Sequence, residues 1–259
     1  MINFVGAGPG ATDLITVRGM ELIGKADVII YAGSLVNPAL LDYAKDGCEI
    51  HDSSKMTLEE VLDVMIPTSE SGKEVVRLHT GDASIYGAIR EQMDELDKGG
   101  IAYATCPGVS AAFGAASSLN LEYTLPGISQ TLIITRMEGR TAVPEKEKIE
   151  SLASHKASMA IYLSAGMLDE LSKRLIAGGY SEDTPAAIVY KATWPEEKRI
   201  VCPLKDLASE AAKENITKTA IVLVGDVIAN GTYERSKLYD PSFTTEFRQA
   251  KPADESIEK

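Results

Sequence analysis

Short β-branched runs alternate with longer stretches whose apolar residues recur at intervals of three and four along the first half of the chain. The runs predict strands near Ile2–Val5, Val28–Tyr31, Cys48–His51, Val75–His79 and Ile101–Thr105. Between them the periodic stretches predict helices over Thr16–Lys25 and Ala88–Lys98. Thr57 followed by Glu60 has the spacing of a capping box, so a helix is expected to start there and to end or kink at Pro67. Strands alternating with helices in this way build βαβ units and an open parallel sheet.

The pattern changes after Pro107. A helix of small residues, Ser110–Ser118, runs into Leu125-Pro126-Gly127, whose proline and glycine interrupt regular structure. Further strands are expected near Thr131–Thr135, Met159–Leu163, Pro185–Tyr190, Arg199–Cys202 and Ala220–Gly225, with helices near Glu145–Leu152, Asp169–Ala177 and Leu204–Glu214. Two of the strands flank Trp194-Pro195-Glu196-Glu197 closely enough for a hairpin, so the second sheet is expected to be mixed or antiparallel. The expected organisation is α/β in two units, residues 1–120 and 121–235, followed by a polar, poorly ordered tail over 236–259.

At 44% hydrophobic and 25% charged residues the composition is that of a globular chain able to bury a core. No apolar run approaches the ~18 residues of a membrane span, and the N-terminus lacks the pattern of a secretory signal, so a cytoplasmic protein without membrane contact is expected. The three cysteines, Cys48, Cys106 and Cys202, have neither disulfide nor zinc spacing. The three histidines are equally scattered, and no protein-bound metal is expected. With 38 acidic against 26 basic side chains the net charge is −12, which argues against nucleic acid as a partner.

Four segments carry candidate chemistry. Gly6-Ala7-Gly8-Pro9-Gly10-Ala11 follows the first strand and fits a glycine-rich dinucleotide loop. Two features count against a dehydrogenase: no acidic residue ends the second strand, and Pro9 removes an amide that would cradle pyrophosphate. Thr80-Gly81-Asp82 follows the fourth strand, where ligands of parallel sheets bind; Asp82 suits a polar contact or an N-cap for a helix beginning near Ile85. Cys106-Pro107-Gly108-Val109-Ser110-Ala111 ends the fifth strand, and two glycine-bearing loops on neighbouring strands make a cleft. Arg136-Met137-Glu138-Gly139-Arg140 offers two guanidinium forks suited to an acidic ligand, or a solvated loop with an Arg–Glu pair.

In this order and spacing the segments resemble the tetrapyrrole (corrin/porphyrin) methyltransferase family. GAGPGATDLITVRG is similar to its N-terminal signature, LHTGDASIYGAIREQ to its donor loop and CPGVSA to the loop after it. QTLIITRMEGRTAVPE with VYKATWPEEK is similar to the members that methylate C-11 of precorrin-4, with or without cobalt. The resemblance implies two α/β domains with the active site in the cleft between them, S-adenosylmethionine as methyl donor, a small tetrapyrrole substrate and a homodimer. It implies donor contacts at Thr80, Gly81, Asp82, Ile85, Ser110, Ala111, Leu163, Ala192, Thr219 and Ala220, and substrate contacts at Pro9, Tyr86, Arg136 and Arg140. Ala83 and Ala192 depart from the family's usual proline and glycine. A general base is left open among Tyr31, Tyr86 and Asp82.

Overall fold

The computed structural model describes residues 1–229 and 231–250. Its first sheet is built from β1 (Ile2–Gly6), β2 (Val28–Tyr31), β3 (Glu49–Asp52), β4 (Val75–His79) and β5 (Tyr103–Cys106). All neighbours are parallel, in the order β3-β2-β4-β1-β5. The central strands β1 and β4 are buried at every residue because helices cover both faces, the polar Asn3, Arg77 and His79 included. Helix α1 (Val17–Lys25) closes one face, over Val5, Ile29, Val76 and Leu78. Helices α2 (Leu58–Glu70) and α3 (Arg90–Gly99) close the other, over Ile2, Phe4, Val28, Ile30 and Val75.

The capping box at α2 is present: the Thr57 amide donates to Glu60 Oε2 at 2.8 Å and the Glu60 amide to Thr57 Oγ1 at 3.3 Å. The helix nevertheless continues through Pro67 to Glu70, against expectation. Its last turn is held by Thr68 Oγ1 donating to the Val64 carbonyl at 2.7 Å and by the Ser71 amide donating to the Pro67 carbonyl at 3.1 Å. A second difference lies before α3. No helix begins near Ile85, because the chain turns through Tyr86 (φ 55°) and Ala88 (φ 50°), left-handed conformations that a right-handed helix excludes.

The second sheet comprises β6 (Leu132–Arg136), β7 (Ser158–Tyr162), β8 (Pro185–Tyr190), β9 (Lys198–Pro203) and β10 (Ala220–Val224), in the order β6-β7-β10-β8-β9. Only β6 and β7 are parallel; β8 and β9 form the expected hairpin, with Tyr190 opposite Lys198. Helix α4 (Ala111–Leu119) lies on one face, its Ala112, Ala115 and Ala116 against Ala160, Ala187, Val189 and Leu223. Small residues on both sides allow a close helix-to-sheet approach. The other face is covered by α5 (Ile149–Ala153), α6 (Leu168–Ala177) and α7 (Leu207–Lys213). The expected helices at 145–152 and 204–214 each open as a 3-10 turn, over Glu145–Glu147 and Leu204–Asp206, before the shorter α-helix starts.

Beyond this sheet, the segment up to residue 250 makes a 3-10 turn at Lys237–Tyr239, and the Arg248 guanidinium donates to the Asp240 carbonyl at 2.6 Å. The rest of the expected tail lies outside the described residues. No helix among the described residues is long and apolar enough to cross a membrane.

Candidate active site

Three loops leave the carboxyl ends of β1, β4 and β5 and press together. The Gly8 amide donates to the Gly81 carbonyl at 3.2 Å, and the Gly81 amide donates back to the Gly8 carbonyl at 2.8 Å. A Cβ on Gly108 would lie 2.1 Å from the Gly81 carbonyl oxygen, and one on Gly6 2.6 Å from the Gly108 Cα, so this backbone contact requires residues without side chains. Asp82 ties it down. Its Oδ2 accepts from the Gly108 amide at 2.8 Å, and Oδ1 accepts from the Ser84 amide at 2.9 Å and from the Ser84 hydroxyl. Partial burial works to raise the Asp82 pKa, but these hydrogen bonds outweigh it and hold the carboxyl below its ordinary value. Asp82 is therefore a strut between loops rather than the N-cap of a helix.

The β1 loop spends its amides inside the protein. Ala7 donates to the His79 carbonyl at 2.7 Å, and Ala11 donates to Thr193 Oγ1 at 2.9 Å. Trp194, in the β8–β9 loop, covers the outside of this turn: Nε1 donates to the Pro9 carbonyl at 3.1 Å, and a Cβ on Gly10 would collide with the indole at 1.9 Å. With those amides engaged and Pro9 lacking one, the loop is not built as a pyrophosphate cradle.

The second sheet supplies the opposite rim. Tyr162, at the end of β7, has its hydroxyl 2.5 Å from Ser110 Oγ and accepts the Ala112 amide at 2.8 Å, joining β7 to the start of α4. Burial raises the Tyr162 pKa, so its phenol stays neutral. Leu163 follows with φ 53° and is 63% exposed, a large apolar side chain held out from strained backbone. Lys191, Thr193 and Thr219 also have positive φ. The Lys191 ammonium sits 4.9 Å over the Trp194 ring centroid.

Between the rims lies a cavity of about 300 Å³. Of the residues the sequence nominated for the donor, Thr80, Ala111, Leu163, Ala192, Thr219 and Ala220 line it. Gly81, Asp82 and Ser110 stand behind that lining, in the glycine contact and the Tyr162 hydrogen bond, and Ile85 lies in the turn after Asp82. Pro9, nominated for the substrate, lines this same cavity. Tyr86, Arg136 and Arg140 line a neighbouring cavity of about 440 Å³, and Leu163 is a wall of both.

The two arginines differ. Arg136 donates to the carbonyls of Met137, Thr141 and Ala142 at 3.1–3.2 Å and so shapes its own loop. Arg140 is exposed at the cavity. The Arg–Glu pair of the alternative reading is absent here, because Glu138 pairs instead with Arg174 at 2.6 Å. The sequence nominates neither Trp194, Lys191 nor Tyr162 for the site; the Trp-Pro-Glu-Glu run reads there only as a hairpin loop and as part of the VYKATWPEEK resemblance.

A cobalt-precorrin-4 C(11)-methyltransferase of Methanocaldococcus jannaschii is 55% identical over 96% of this chain and 96% of its own. A precorrin-4 C(11)-methyltransferase of a Sinorhizobium species is 41% identical, over 95% of this chain and 98% of its own. The crystal structure of a cobalt precorrin-4 methyltransferase superposes with a TM-score of 0.86 at 45% identity, over 88% of this chain and 95% of that one. Residues 1–208 match the sequence pattern of one family along their whole length, and the chain accordingly belongs to the tetrapyrrole (corrin/porphyrin) methylases.

Proposed function

We propose that the chain transfers a methyl group from S-adenosylmethionine to C-11 of precorrin-4, in its cobalt-bearing form, during cobalamin biosynthesis. The observation that carries this reading is the pair of adjoining cavities sharing Leu163, one apolar and rimmed by backbone, the other bearing arginine. The preference for the cobalt form rests on relatives named for that substrate at 55% and 45% identity, against 41% for one named for the metal-free pigment.

The smaller cavity suits a nucleoside-bearing sulfonium. It lies at the lower end of the size range of ligand sites, its walls include Leu35, Val189 and Ile221, and left-handed backbone at Leu163 and Thr219 shapes its rim. When bound, the donor supplies an electrophilic methyl that an electron-rich ring carbon attacks directly, so no protein nucleophile is needed. The protein's work is then placement: holding the reacting atoms ~3–3.5 Å apart and in line lowers the barrier by roughly 7–11 kcal/mol. Thr80, Ala111, Ala192, Thr219 and Ala220 hold the donor side, with Gly81, Asp82 and Ser110 fixing the loops behind them. Arg140 grips a peripheral carboxylate, while Arg136 keeps the loop that carries it in shape.

Partial burial holds the Tyr86 phenol above its ordinary value, so it stays protonated and donates a hydrogen bond rather than removing a ring proton. Asp82 has both carboxylate oxygens occupied and is equally unsuited to be a base. The same reading carries a homodimer in the cytoplasm, which sedimentation and cell fractionation test.

The decisive experiment is incubation with methyl-labelled S-adenosylmethionine and precorrin-4, with and without cobalt, followed by mass analysis of the pigment. One added methyl at C-11, formed faster on the cobalt pigment, is the expected result. Saturable pigment binding without a labelled product would make the protein a carrier and end the proposal.

A further inference from the structure

Val75, Arg77 and His79 alternate onto the face of the first sheet that α2 and α3 cover. Val75 belongs to the apolar core there, but Arg77 is a full-length cation that is only 7% exposed. Its protein partners are both neutral: Nε donates to Gln92 Oε1 at 3.2 Å and Nη1 to the Ile30 carbonyl at 3.1 Å. Among the described residues Nη2 has no acceptor and no carboxylate forms an ion pair with the guanidinium. Burial lowers its pKa to about 10, which still leaves it charged at neutral pH. A buried charge without a counter-charge is costly, and proteins ordinarily pair it.

The space beside it is not filled by protein. Arg77, Ser53, Thr57, Ala88, Glu91 and Gln92 line a cavity of about 170 Å³. Helix α2 starts at this wall with Thr57 as its N-cap, but the capping box and the Glu59 and Glu60 carboxylates in its first turn answer its positive end, so the guanidinium is the cation that faces the space. Ala88 is also a wall of the larger cavity that holds Tyr86, Arg136 and Arg140. The left-handed turn at Tyr86 and Ala88 therefore separates a main chamber from a side chamber, each with its own arginine.

We propose that this side chamber is a carboxylate-binding subsite, in which Arg77 receives a short acidic arm of the molecule held in the adjoining arginine-lined cavity. The identity of that molecule as a corrin precursor rests on the function proposed above; the recognition of a small carboxylate does not. Glu91 opposes binding from the rim, where it carries the same charge as the ligand.

Sodium propionate tests this without donor or pigment, by calorimetric titration and ligand-observed NMR, with propionamide as the uncharged control. Wild type and Arg140→Gln are expected to bind propionate and not propionamide. Arg77→Gln is expected to lose at least tenfold in affinity, with Arg77→Lys recovering part of the loss, and Glu91→Gln is expected to gain about threefold. Equal propionate binding by wild type and Arg77→Gln, or none by wild type, overturns the proposal. Should the Arg77 variants fail to fold, Glu91→Gln decides: no gain in affinity overturns it. Propionate binding that depends on Arg77 in a protein without transfer activity would keep the subsite and remove the methylation reading, and the reverse pattern would do the opposite.

Discussion

The two rims of the candidate donor cavity are built by opposite means. On the first sheet, Gly6 and Gly108 let the loops after β1, β4 and β5 come into backbone contact by carrying no side chains at all. On the second, Leu163, Lys191, Thr193 and Thr219 keep their side chains and accept left-handed backbone that ordinarily favours glycine. One rim uses closeness to fix a floor. The other tolerates strain to aim side chains, which is the usual mark of a segment shaped by what it must hold.

Breaking the floor should have the largest effect. Gly108→Ala forces a carbon to within 2.1 Å of the Gly81 carbonyl, where only backbone can yield. A loss of about 3 kcal/mol in urea unfolding is expected, together with loss of donor binding by calorimetry. Removing the seam between the rims should come next: Trp194→Ala deletes the bond to Pro9 and the wall over Gly10. Donor affinity should fall by about 2 kcal/mol, or roughly thirtyfold, with a smaller loss in Trp194→Phe. An unchanged donor affinity would leave the seam without a role in the cavity.

Beneath the floor, His79 is 5% exposed, and burial first, then the Arg77 charge, push its pKa from 6.5 down to about 3. The unfolded chain takes up this proton before the folded one does. Its contribution to stability is complete above pH 6.5 and is lost as pH falls toward 3, by about 1.4 kcal/mol per unit. Urea titrations across that range should show a flatter dependence in His79→Gln, and an unaltered slope would refute the assignment. The smallest effect sharpens the contrast. Leu163→Gly relieves left-handed strain at an exposed position, so folding should gain about 1 kcal/mol while the KM for pigment rises. A variant that is both less stable and kinetically unchanged would contradict the aiming role.

Much of this architecture is legible from local pattern. The runs at Val28–Tyr31, Val75–His79 and Pro185–Tyr190 form strands with those bounds, because β-branched and other apolar residues dominate each, even with Arg77 and His79 inside the second. Pro67 misled, since a proline in the last turn removes one amide but leaves the flanking hydrogen bonds to Thr68 and Ser71 in place. Asp82 misled for another reason: as an N-cap it would serve a helix that left-handed Tyr86 and Ala88 preclude, and its true partner, Gly108, lies on a different strand's loop. Trp194 and Pro9 meet across 185 positions of chain, and no periodicity encodes such a meeting. The family resemblance supplied the nominated lining residues, while the side chains that bolt the rims together emerged only in three dimensions.

Trp194 is also the only tryptophan in the chain. Its emission therefore comes from a single place, a ring with a lysine ammonium on one side and the Pro9 turn beside it, at the wall of the 300 Å³ cavity. Light absorbed by that indole makes the untouched protein its own optical gauge of whether the cavity is filled, with no label attached and no second chromophore of its kind to confuse the signal.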